Sequence, residues 1–67
     1  MEYIYVTFGE QRIVLVDALV CGNTNDTIGV QRGTHTITLS GAPTMPFSQQ
    51  VTVINTSYLT PMKIEFK

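Results

Sequence analysis

Sixty-seven residues leave room for one domain, 1–67, and a chain this short buries only about 60% of its unfolded surface, so it depends on good packing, a larger parent chain or self-association. One cysteine cannot close an internal disulfide. A charged fraction of 13%, with Arg12, Arg32, Lys63 and Lys67 scattered, gives no basic patch for nucleic acid. The 43% hydrophobic content is too high for a disordered chain, yet no apolar run nears the ~20 residues of a membrane span.

In chain order, Tyr3 to Phe8 alternates. Ile4, Val6 and Phe8 fall on one face; Tyr3, Tyr5 and Thr7 fall on the other, the period of a strand. Gly9-Glu10-Gln11 predicts a hairpin bend into a second strand, Arg12 to Val16. Its continuous apolar run predicts burial on both faces and a central place. Asp17-Ala18 predicts a bend, Leu19-Val20-Cys21 a brief third strand, and Gly22 to Asp26 a turn. The run Ile13 to Gly22 imitates a lipoprotein signal ending at a cysteine. Asp17 interrupts it, and Val20 stands where such sites want a small residue, so a strand is the better reading. Met1-Glu2-Tyr3 is not the start of a secretory signal either; an exported protein would have carried its signal upstream.

Thr27 to Gln31 predicts a short strand interrupted by Gly29. The clearest pattern follows. Gly33 supplies a turn, then His35, Ile37 and Leu39 face one side while Thr34, Thr36, Thr38 and Ser40 face the other. Gly41 and Pro43 end that strand, and two prolines between Ala42 and Pro46 predict an irregular crossing. Gln49 to Ile54 puts Val51 and Val53 on one face, and Asn55-Thr56-Ser57 turns the chain. Tyr58 to Pro61 leads to a last strand, where Met62, Ile64 and Phe66 alternate with Lys63, Glu65 and Lys67. Apolar spacing of three and four is never sustained, so no long helix is expected. Six or seven short, mostly antiparallel strands make an all-β sandwich or small barrel.

Val14-Leu15-Val16-Asp17, then Cys21-Gly22 and a Thr-rich link, then Arg32-Gly33-Thr34-His35-Thr36-Ile37, resemble the PEGA domain. Phe47 to Val53 resembles that family's closing strand, so the likeness runs from about Arg12 to Ile54. Ala18 replaces the glycine of the family's Val-Asp-Gly, and Arg32 replaces the proline or acid before Gly33. The resemblance implies a small β-sandwich, prealbumin/Ig-like in topology, within an extracytoplasmic or cell-surface protein. It supplies no catalytic residues.

The residues that could carry chemistry are few. His35 is the sole histidine and reads first as a packed ring with one nitrogen bonded to backbone. A nucleophile needs a base within reach, and His35 and Ser40 face opposite sides of one strand. Cys21 reads as a small buried residue before a turn; pairing between two chains, or a zinc site shared with His35 in a dimer, is the sharper alternative. Asp17, Asn23, Asn25 and Asp26 offer oxygens to calcium, but without EF-hand spacing, so turn formation comes first. Asn25-Asp26-Thr27 and Asn55-Thr56-Ser57 match the N-glycosylation pattern. Tyr3, Tyr5 and Tyr58 could share an outer face that stacks on sugars or anchors a protein; covering their cross-strand neighbours is the plainer role.

The expectation is therefore a non-catalytic structural or interaction module with no cofactor and no resident metal. It would act through an edge strand or the tyrosine face on a protein partner or on other domains of a parent chain. The chain ends inside a strand pattern, as an excised domain would. The alternatives are a stand-alone assembly protein of phage or mobile-element type forming a homo-oligomer, for which Met1 stands directly before a strand, and a carbohydrate or calcium binder.

Overall fold

The computed structural model describes residues 1–67 as seven strands with no helix: β1 (Glu2–Thr7), β2 (Ile13–Val16), β3 (Leu19–Asn23), β4 (Thr27–Val30), β5 (Gly33–Leu39), β6 (Ser48–Val53) and β7 (Met62–Glu65). They form two sheets, one ordered β4-β1-β7 and the other β3-β2-β5-β6. Every pairing is antiparallel except β1 with β7. The expected all-β sandwich of short strands is what forms.

Alternation decides which side chains meet between the sheets. Ile4, Val6, Ile28, Val30, Ile64 and Phe66 point inward from the three-stranded sheet. Val14, Val16, Ile37, Leu39 and Val53 point inward from the four-stranded one, and Phe8, Val51 and Met62 fill the margins. Eleven buried apolar residues at ~1.5–3 kcal/mol each are the main source of cohesion in a chain whose single cysteine closes no internal disulfide.

Three expectations need correction. Gly9-Glu10-Gln11 does not close a hairpin, because β1 and β2 lie in different sheets. The link carries the chain over the sandwich and is held by side chains. Thr24 Oγ1 accepts the Arg12 N–H and donates to the Glu10 carbonyl. Arg12 donates to the Ser40 and Ala42 carbonyls and lies over the Phe8 ring. Next, β2 is central, but only one of its faces is buried. Val14 and Val16 point in, Leu15 is half-buried and Ile13 is exposed, because nothing covers the outer side of that sheet. Finally, Cys21 is exposed, because β3 is an edge strand.

The β2–β3 turn is a two-residue hairpin loop. Val16 pairs with Leu19, leaving Asp17 and Ala18 as a two-residue loop, with φ of 54° and 67°. Two successive positive φ angles mark a type I′ turn, whose twist matches the flanking strands. Asp17 tolerates that conformation, whereas Ala18 is strained in it.

Candidate functional site

The two long sides of the sandwich are built differently. Along the β6/β7 side, Met45 and Lys67 exchange backbone hydrogen bonds of 2.7 and 2.9 Å. The Gln49 amide donates to the Glu65 carbonyl across the gap. Along the β3/β4 side each strand has a neighbour on one flank alone, β2 for β3 and β1 for β4. Leu19 and Val20 are each 70% exposed, although they belong to a strand.

A bulge sets the side chains of this edge. Val14 pairs with Gly22 and Leu15 with Val20, which makes Cys21 the extra residue. Leu19 and Cys21 then border a cavity of about 230 Å3 between the sheets, together with Met1, Val16, Val30 and His35. Gly22 closes one end of this side. A β-carbon there would stand 2.9 Å from Ile28 Cγ1, so only glycine lets the strands approach so closely.

His35 closes the other end. Its Nδ1 lies 2.6 Å from Asp17 Oδ2 and its Nε2 lies 2.7 Å from the Gln31 carbonyl oxygen. Both partners are acceptors, so both ring nitrogens satisfy them only as N–H donors. That is the imidazolium form. The hydrogen bond to Asp17 raises the His35 pKa above its ordinary 6.5, with the Gln31 carbonyl adding to it against partial burial. The same bond to His35, followed by the Thr36 N–H on Oδ1, lowers Asp17 below 3.8. Asp17 thereby ties the β2–β3 turn to β5, an arrangement tightened by its own N–H on the Thr36 carbonyl.

This geometry limits the chemistry. Cys21, His35 and Asp17 line one cavity, which is suggestive of a thiol triad. The ring has no free lone pair for Cys21, because Nε2 is spent on Gln31. Ser40, on the opposite face of β5 from His35, has its hydroxyl bonded to the Ile13 N–H. No group of three or more His, Cys, Asp or Glu side chains converges as metal ligands would. No buried side-chain nitrogen or oxygen lacks a hydrogen-bond partner.

The oxygen-bearing residues are split. Asp17 sits at one end of β3 and Asn23, Asn25 and Asp26 at the other, about 16 Å away for a five-residue strand. The latter three line a polar cavity of about 230 Å3 with Gln11 and Thr24. Their side chains are largely committed to the turn. Asn25 bonds the Phe8 N–H and carbonyl with its amide, and Asp26 accepts the Thr27 N–H. Turn formation accounts for them.

The tyrosines do share an outer face. Tyr3 and Tyr5 alternate out of β1, and Tyr58 meets Tyr3 edge-on, centroids 5.7 Å apart. Thr56 holds the loop in place: its hydroxyl accepts the Tyr3 N–H and donates to Glu2, whose carboxylate also accepts the Thr56 N–H. Those bonds hold the Glu2 carboxyl below its usual range. Tyr3 and Tyr5 are half-buried, so the face is mostly consumed in covering the sheet.

Sequence reasoning had His35 and Asp17 as separate residues, and it missed Leu19 and Val20. The strand order is what joins them: β2 pairs with β5, setting Val16 opposite Ile37 and so Asp17 beside Thr36 and His35. No family model matches the chain, and no curated protein or solved structure matches it.

Proposed function

We propose that this protein is a non-catalytic interaction module whose working surface is the β3/β4 side. The observation that carries the reading is the exposure of Leu19, Val20 and Cys21 on a strand with one free edge, above a partly apolar cavity. An extended segment added beside β4 would continue the three-stranded sheet and cover the inner side of β3. Main-chain hydrogen bonds would supply affinity, and alternate side chains would enter the cavity. The setting in an extracytoplasmic or cell-surface assembly is supported by the PEGA resemblance.

The test is an amide NMR titration with a soluble extended peptide of alternating valine and threonine ending in lysines. Shifts concentrated in residues 19–23 and 27–31 are the expected result. Shifts confined to the neighbourhood of Tyr3 and Tyr58, whether with this peptide or with cell-wall sugar fragments, would transfer the function to the tyrosine face.

A further inference from the structure

We infer that the occupant of the β3/β4 side is a second copy of this chain, docked through an antiparallel β4–β4 pairing on a two-fold axis near Gly29. The inference rests on the reading of that side as the working surface and names its partner.

Three observations lead there. First, β4 is self-complementary in charge. Asp26 stands just before Thr27, and Arg32 stands two residues after Val30. Between them lie only Thr27, Ile28, Gly29, Val30 and Gln31, with no charge. Antiparallel pairing centred on Gly29 sets each Asp26 opposite the other copy's Arg32. Parallel pairing would set like against like. The remaining charges on this side lie at the Arg32 end: Asp17 and the His35 imidazolium it holds, which offset one another. Arg32 also lies close enough to help lower Glu2 on the neighbouring strand β1. The positive amino terminus of Met1 also acts on Glu2, so Arg32, His35 and that terminus face Glu2 and Asp17, which leaves the Arg32 end net positive and the Asp26 end net negative.

Second, the two free edges are level with each other. The close approach of Gly22 to Ile28 puts Cys21 opposite Gly29 across the sandwich, since β3 and β4 run in opposite directions through the turn between them. One axis through Gly29 therefore also passes near Cys21. A single two-fold can bring β4 to β4 and β3 to β3 together, as a closed isologous dimer requires.

Third, apart from its shortness and the Met1 side chain lying over Gly29, the β4 edge carries few of the usual guards. No lysine, proline or inward-pointing charge lies in β3 or β4. The bulge at Cys21 keeps β3 from forming a regular ladder with its copy, which leaves the hydrogen bonding to β4 and the apolar contact to Leu19, Val20 and Cys21. With two short strands in contact the interface is small, so the dimer is a weak one.

Sedimentation velocity from ~10 μM to ~1 mM tests this. The expected result is a rise in mass toward twice 7.4 kDa across that range. Arg32→Asp and Asp26→Arg, each alone, should raise the dissociation constant about tenfold by creating two like-charge pairs. The two together should restore it. Leu19→Lys, at an exposed position that folding tolerates, should abolish the dimer. A short bismaleimide should link Cys21 to Cys21 in the wild type and fail to do so in Leu19→Lys. A monomer at all concentrations overturns the inference, as does a dimer indifferent to Arg32→Asp or one the double variant leaves weakened. A monomer that still binds the valine–threonine peptide on residues 19–31 overturns the self-pairing while the reading of the surface stands. A monomer that ignores the peptide removes both.

Discussion

The β6/β7 side and the β3/β4 side present the same problem, a sandwich edge with unpaired backbone, and solve it differently. The first is stitched by the Met45–Lys67 backbone pair and the Gln49–Glu65 hydrogen bond, with Phe66 buried beneath. The second is pinned only at its ends, by Gly22 against Ile28 and by His35 between Asp17 and Gln31. A small domain has little stability to spare. Leaving one side unstitched therefore costs cohesion there, and what the chain gains is an accessible strand edge.

The comparison breaks most readily through matched truncations. Phe66→Ala removes a ring that is 2% exposed, and the chain should lose about 3 kcal/mol, enough to unfold much of a marginal population. Phe66→Leu is the milder companion, at about 1 kcal/mol. Leu19→Ala on the other side removes a side chain that is already in water, and the expected change is within about 0.5 kcal/mol. Urea midpoints at low protein concentration measure both. A loss at Leu19 comparable to that at Phe66 would mean that β3 is part of the cohesive core and the open side is a misreading.

The turn at the head of β3 sharpens the contrast at a smaller scale. Ala18 holds a φ of 67°, and relieving that with Ala18→Gly recovers more than the added freedom of the unfolded chain costs. The net expectation is a gain of about 0.5 kcal/mol. A loss would show that the Ala18 methyl makes contacts that outweigh its backbone strain.

Alternation made the interior legible. Ile37, Leu39, Val53, Ile64 and Phe66 are buried as their spacing requires, because a two-residue period on a strand has one consistent solution. What periodicity cannot convey is which strand neighbours which. Gly9-Glu10-Gln11 carries every mark of a hairpin loop, yet a loop that crosses between sheets is written in the same residues. Leu19-Val20-Cys21 is apolar enough for a core strand, and only its place at the end of the sheet leaves it in solvent. The Asp17–His35 pair was hidden for the same reason. Its members are far apart in sequence and come together through the β2–β5 register.

That pair yields the smallest effect and the one with a defined pH signature. His35 has a raised pKa, so its stabilising contribution is fully present below pH 6.5 and is lost as the pH climbs through the raised value. Asp17 has a lowered pKa, so its contribution is present above pH 3.8 and is lost as the pH falls through the lowered value. The latch is therefore at full strength between about pH 4 and pH 6.5. Asp17 is open to water and screening weakens its attraction, so the slope on the alkaline side should be shallow. Thermal unfolding of the wild type should show it, while His35→Gln should remove the decline above pH 6.5 and shrink that below pH 4 to the part the Thr36 N–H sustains. Hydrogen exchange gives the sharper reading: on raising the pH, after correction for intrinsic exchange, amides of β3, Asp17 and Thr36 should lose protection, while Met45 and Lys67 on the stitched side should not. Equal loss on both sides would mean that the latch acts on the whole fold, and that the two sides share one stability rather than differing as their construction implies.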